Sequence, residues 1–320
     1  MIKPPVLKTG DTIGVVAPAG VVDPHELETG LKRLEGLGFR VRMGRFVRNI
    51  FRTMAGTDRE RASDLLEMFS DPEIKAIVCA RGGYGSARVI PYLDSDLIQS
   101  HPKVFVGSSD ITVVLLYLTQ KCGLVAFHGP MVGPNFGKFS SSLTENFFMK
   151  ILTQPKPVGP LQLPGIKILK KGQAEGRLMG GCLSLLCSAL GSPYEPHTEG
   201  SILFLEDVRE PPYRIDRMLT QLKDAGKFKN VRGILFGPMW ECHPEQGAGY
   251  RLEDVILDVL DGLEGPVLFG VPSGHGKDNV TLPLGVKVRV SAEKDGSSLV
   301  SLEEAAVSAI PAGGVLGGSF

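Results

Sequence analysis

Residues 12–43 read TIGVVAPAGVVDPHELETGLKRLEGLGFRVRM. Residues 12–17 form a short apolar run rich in β-formers, cut off by Pro18 and Gly20. Asp23-Pro24 then opens a helix whose Leu27, Leu31 and Leu34 fall on one face, and Gly38 closes it. Residues 39–43 begin a second strand. Strand, polar turn, amphipathic helix and strand again is the unit from which parallel sheets are built.

The unit repeats outward from there. Asp58 caps a helix carrying Ala62, Leu65, Leu66 and Phe69, and residues 76–80 (AIVCA), 104–107 and 125–128 read as further strands. Continuous apolar strands alternating with helices predict a parallel sheet covered on both faces, with the loops after the strands gathered on one edge. Residues 136–171 break the rhythm with one helix (141–153) and then Pro155, Pro157, Pro160 and Pro164. We place a linker at 151–175 on that ground, between an N-terminal domain (1–150) and a C-terminal domain (176–308). In the latter we expect a buried helix over 179–190, a strand over 202–205 and an amphipathic helix over 213–225. A strand over 231–236, a helix over 252–260 and closing strands at 286–290 and 298–302 complete it. Residues 309–320, Gly-rich and without period, are expected to form a flexible tail.

The composition excludes several function classes. Lys plus Arg and Asp plus Glu number 35 each, so no basic excess points to a nucleic acid. The five cysteines (Cys79, Cys122, Cys182, Cys187, Cys242) include no Cys-x-x-Cys pair, which argues against disulfide staples and a zinc site. No cofactor and no metal is expected. The start of the chain lacks an apolar core of signal-peptide length, and no run reaches the ~18–20 apolar residues needed to span a bilayer. The expectation is a cytoplasmic protein without a membrane partner.

Chemistry concentrates at three polar islands after apolar strands. In Val106-Gly107-Ser108-Ser109-Asp110-Ile111-Thr112 a strand enters and an apolar helix leaves. A Ser there either caps the helix or stands exposed as a nucleophile, with the Asp110 N–H aimed at a developing oxyanion. In Arg81-Gly82-Gly83-Tyr84-Gly85-Ser86 the glycines allow close backbone approach to a ligand, or simply make a tight turn. His275, between Gly274 and Gly276, reads as a loop imidazole suited to general base work. Glu206 and Asp207 follow the 202–205 strand, where a carboxylate orients an imidazole or merely charges a loop. His128, in Phe127-His128-Gly129-Pro130-Met131, is a second histidine after a strand, placed as a wall or substrate-positioning residue.

Together these islands resemble one family, the murein LD-carboxypeptidases, whose relatives include the microcin C immunity peptidases. The likeness runs in order through Leu7-Lys8-Thr9-Gly10-Asp11, Val15-Val16-Ala17-Pro18-Ala19, Ala55-Gly56-Thr57-Asp58 with Arg61-Ala62, and Arg81-Gly82-Gly83-Tyr84-Gly85. It continues through Gly107-Ser108-Ser109-Asp110-Ile111-Thr112, His128-Gly129-Pro130-Met131, Leu205-Glu206-Asp207, Tyr213-Arg214-Ile215-Asp216-Arg217 and Pro272-Ser273-Gly274-His275. The resemblance implies an α/β fold: a flavodoxin-like parallel-sheet N-terminal domain and a second, smaller α/β domain of swivelling type. It implies Ser109 as nucleophile, Glu206 and His275 as its partners, and oxyanion donors on the backbone of Asp110 and Gly83. Arg81, Tyr84 and His128 are the substrate-binding candidates, with Arg88 and Arg209 further candidates for the substrate carboxylate.

The implied activity is a serine-type release of terminal D-Ala from murein tetrapeptides in peptidoglycan recycling, by a homodimer acting on a small muropeptide. Cleavage of a peptidyl- or aminoacyl-nucleotide amide, as in self-immunity, is an alternative, and a non-catalytic two-domain binding protein is another. Two positions depart from the family: Ser108 stands where an aromatic residue is usual, and Cys182 where Asn is usual.

Overall fold

In the computed structural model, which describes residues 1–139, 141–293 and 295–309, the apolar runs of the first half become strands, all largely buried on both faces except the edge strand of residues 40–43, whose side chains are exposed or half-buried. They are β1 (Thr12–Val16), β2 (Arg40–Met43), β3 (Ile74–Cys79), β4 (Val104–Gly107) and β5 (Ala126–His128). All pair in parallel in the order β2-β1-β3-β4-β5. That order is the flavodoxin-like one.

The helices around this sheet start where the local chemistry satisfies their first N–H groups. Helix α1 (Pro24–Gly36) is capped by Asp23, whose side chain accepts from the N–H of His25 and Glu26. Helix α2 (Asp58–Ser70) begins in a capping box between Thr57 and Glu60, an arrangement that contributes about 1 kcal/mol. The short helices α3 (Ser95–Ser100) and α4 (Thr112–Leu116) and the longer α5 (Ser142–Leu152) complete this half.

The second sheet has eight strands: β6 (Gly159–Pro160), β7 (Lys167–Lys170), β8 (Gly172–Cys182), β9 (Ser201–Glu206), β10 (Gly233–Phe236), β11 (Val267–Phe269), and, past β12 (Leu282–Leu284), β13 (Lys287–Ala292) and β14 (Ser298–Leu302). Strands β8, β9, β10 and β11 run parallel, flanked by antiparallel β13–β14 on one side and β7 on the other. Helices α6 (Leu183–Ser188), α7 (Pro212–Asp224) and α8 (Leu252–Val259) pack on it; α7 buries Ile215, Met218, Leu219 and Leu222, the stripe read from the sequence.

Besides the cap of α2, which is Thr57 rather than the expected Asp58, three features depart from the sequence reading. The buried helix expected over 179–190 is only α6, because residues up to Cys182 belong to β8. The stretch 151–175, expected as a linker, contributes β6 and β7 to the second sheet. Finally, β12 leaves the second lobe and pairs antiparallel with β5, closing the edge of the first sheet. The expected tail lies, apart from residue 309, outside the described residues.

Candidate active site

The triad candidates come from three different strand ends. Ser109 follows β4, Glu206 is the last residue of β9, and His275 lies in the loop after β11. All are C-terminal ends of parallel strands, the edge where ligands of such sheets bind.

Ser109 has φ +60°, a left-handed conformation rare for a non-Gly residue. Such strain costs on the order of 1–3 kcal/mol and persists only where the surroundings impose it. Here the Ser86 N–H donates to Asp110 Oδ2 at 2.8 Å, and the Ile111 N–H donates to the Ser108 carbonyl at 3.2 Å. Gly82 makes room on the other side: a Cβ there would lie 2.8 Å from Ser109 Cβ and 3.0 Å from its Oγ. The neighbouring Ser108 is buried and accepts from Asn279 Nδ2 at 3.4 Å. Of the two serines, Ser109 is the one that meets the imidazole.

His275 bridges the two lobes. Its Nε2 stands 3.0 Å from Ser109 Oγ, and its Nδ1 lies 2.7 Å from Glu206 Oε2. A carboxylate only accepts, so Nδ1 carries the hydrogen and Nε2 is free to accept from the Ser109 hydroxyl. The same carboxylate oxygen also accepts from the His275 backbone N–H at 3.0 Å. The approach is tight enough to demand glycine at 274, where φ is +106° and a Cβ would fall 2.3 Å from Glu206 Oε2.

Glu206 is fully buried, while the His275 side chain keeps 25% of its surface exposed. Burial works to raise the Glu206 pKa, but the charge and hydrogen bond of His275 outweigh it and hold the carboxyl below its usual range. Burial likewise works to lower the His275 pKa; the Glu206 charge and hydrogen bond overcome it and leave the imidazole above its ordinary value.

The remaining candidates sort by exposure. Tyr84 is 58% exposed, and Arg81 Nη1–H donates to the Val21 carbonyl at 2.7 Å from an exposed position. Arg88 is held by Asp58 through Nε and Nη2, and Arg209 pairs with Glu241. His128 corrects an expectation. It is fully buried, its ring packs edge-on against Phe204 with centroids 5.0 Å apart, and burial pushes its pKa down to about 4. It offers no surface to a substrate in this conformation.

Cys182 is also buried; its thiol is pushed up by burial, and its N–H donates to Thr112 Oγ1 at 3.0 Å. Sequence reasoning missed Asn279, a buried amide in the polar loop after His275. Its Oδ1 accepts from the Gly274 N–H at 2.9 Å, and its own N–H donates to Thr144 Oγ1 at 2.9 Å. Only its closeness to His275 in the sequence hinted at it.

The two halves of the chain match the N-terminal domain model of the LD-carboxypeptidases over residues 13–129 and the C-terminal domain model over 175–290. The chain belongs to the LD-carboxypeptidase family. It is therefore a serine carboxypeptidase, with the two-domain α/β architecture of its relatives. A probable murein peptide carboxypeptidase of Bacillus subtilis is 41% identical over 308 residues, covering 95% of this chain and 97% of that protein. Among solved structures, a muramoyltetrapeptide carboxypeptidase from Oxalobacter formigenes has a TM-score of 0.81 at 32% identity, covering 91% of this chain and 98% of that one. A microcin C7 self-immunity protein in complex with glutamyl sulfamoyl guanosine has a TM-score of 0.88 at 29% identity, covering 95% and 99%. Among the described residues no helix is long and apolar enough to cross a membrane.

Proposed function

We propose that this LD-carboxypeptidase releases the terminal D-Ala of murein tetrapeptides in the cytoplasm, in peptidoglycan recycling, through an acyl-enzyme formed on Ser109. The single observation that carries the reading is His275, one imidazole within hydrogen-bonding distance of Ser109 Oγ on one side and Glu206 on the other. His275 Nε2 takes the Ser109 proton as Oγ attacks the carbonyl of the L,D-peptide bond. Glu206 holds the tautomer and stabilises the imidazolium. His275 then gives the proton to the departing amine, and a water activated by the same nitrogen hydrolyses the ester.

The oxyanion is taken by the backbone N–H groups of Asp110 and Gly83. Two features support this placement: the missing Cβ of Gly82 brings that turn against Ser109 Oγ and the Asp110 nitrogen, and the Gly82 carbonyl accepts from the Gly20 N–H. In a trans peptide this turns the Gly83 N–H to the opposite side. Tyr84 and Arg81, exposed beside this turn, contact the substrate. The family likeness supports a homodimer, which light scattering of the purified protein checks.

The test is mass-spectrometric detection of D-Ala released from a muropeptide tetrapeptide by the wild type and by Ser109→Ala. Release by the wild type, with a loss of roughly 10³-fold or more in the variant, is expected. Equal release by both would remove Ser109 from the chemistry. A second reading, amide cleavage in an aminoacyl-nucleotide, has in its favour the likeness to a structure holding glutamyl sulfamoyl guanosine. Turnover of such a substrate with none of the tetrapeptide would select it.

A further inference from the structure

Trp240, the chain's single tryptophan, stands beside the catalytic histidine and is 44% exposed. Its position is tightly determined. Met239 and Glu241 on either side have φ +46° and +57°, and Arg209 opposite has φ +58°; each is left-handed without being glycine. The Trp240 N–H donates to the Asp207 carbonyl at 3.0 Å, and the Arg209 N–H donates to the Trp240 carbonyl at 2.8 Å. Indole Nε1–H donates to Glu241 Oε1 at 3.2 Å, while Glu241 Oε2 accepts from Arg209 Nε at 2.6 Å. Backbone strain of this kind is sustained where the surrounding structure imposes it, and it clusters at ligand clamps. Of the six non-Gly residues at positive φ among the described residues, three form this bracket and a fourth is Ser109.

The indole meets the catalytic loop directly. A Cβ on Gly276, the residue after His275, would lie 3.2 Å from indole Cε3 and 3.6 Å from Cζ3. In triad chemistry the imidazole hands its proton to the leaving amine, so the leaving group stands on the histidine's side of the serine.

We infer that Trp240 is a specificity-determining wall of the pocket that receives the released terminal residue, its indole lying against a small D-amino acid and excluding a large one. The inference rests on the peptidase reading above and deepens it. An aromatic ring fixed by its backbone contributes apolar contact at little entropic cost, and a pocket wall of this kind discriminates side chains by size.

The lone tryptophan makes the test direct. Ser109→Ala protein is titrated with a tetrapeptide ending in D-Ala while indole emission and calorimetric heat are both recorded. Emission should change saturably with the calorimetric midpoint. Heat of binding with constant emission overturns the wall, whereas absence of binding overturns the muropeptide assignment and the inference with it. In active protein, Trp240→Ala should raise KM for that substrate roughly tenfold with kcat nearly held. It should also improve kcat/KM for a D-Leu terminus relative to D-Ala, and Trp240→Phe should restore both values. An unchanged KM and an unchanged D-Leu to D-Ala ratio in Trp240→Ala overturn the proposal.

Discussion

His275 is subject to two opposed influences. Burial disfavours its charged form, while the Glu206 carboxylate at 2.7 Å favours it, and the carboxylate prevails. The free base must be neutral to accept the Ser109 proton, so kcat/KM should rise with pH through an imidazole pKa above the ordinary 6.5. In Glu206→Gln burial remains while the larger raising influences, the Glu206 charge and hydrogen bond, are gone and only the lesser one of Asp207 persists. The acidic limb should therefore move to lower pH as kcat falls by roughly 10³ to 10⁴-fold. A limb that stays in place in the pH–rate profile would show that Glu206 does not set the His275 charge. Gly274→Ala tests the same contact sterically. Its Cβ would enter the Glu206 carboxylate at a φ that suits glycine, so activity should drop at least tenfold by the same assay. A fully active variant would mean the turn relaxes at no cost to the triad.

At the scale of elements, the site is assembled at the C-terminal ends of β4, β9 and β11, and the sequence displayed each as an apolar run ending in a polar island. The strand-to-helix turn at Ser109 was legible because an apolar strand entered it and an apolar helix left it, but those letters suited a helix cap as well as a nucleophile, and only the family resemblance favoured the second. What stayed hidden depended on distant partners. Residues 179–182 belong to β8 because Gly180 and Gly181 let that strand lie against its neighbours: a Cβ on Gly180 would fall 1.9 Å from the Phe204 carbonyl oxygen. In isolation those residues merge with Leu183–Ser188 into one apolar run, and such a run does not distinguish buried strand from buried helix. Strand β12 is three residues with a central proline, tolerable only at a sheet edge. His128 was placed as a wall or substrate-positioning residue because nothing local revealed that Phe204 would cover it.

Asn279 was illegible for a related reason, since its partners lie on three separate segments. Asn279→Ala removes a buried amide and leaves the Gly274 N–H without its acceptor, a cost of about 1–3 kcal/mol. A lower denaturation midpoint should accompany a fall in kcat larger than any rise in KM, because the turn that carries His275 is released. An unaltered midpoint would show that Asn279 is incidental to the turn.

The two lobes share their interior as well as their active site. One core runs from Ile13 and Val78 in the first sheet to Ile202, Phe204 and Leu235 in the second, and a second core combines Leu116 of α4 with Leu183 and Leu186 of α6. Strand β12, contributed by the C-terminal half, closes the edge of the N-terminal sheet. Swivelling of the lobes as independent bodies would separate Ser109 from His275 and would also expose β5 and the Phe204 face. The shared cores oppose that separation, so catalysis does not depend on a chance encounter between lobes. Thermal unfolding should accordingly be a single calorimetric transition, even though the chain is long enough for two domains. Phe204→Ala, which removes a fully buried ring between the sheets, should cost roughly 3–5 kcal/mol. It should move that one transition downward as a whole, carrying the loss of activity with it. A split into two transitions, with only the C-terminal one displaced, would show that the lobes fold separately and that the active site closes only when they meet.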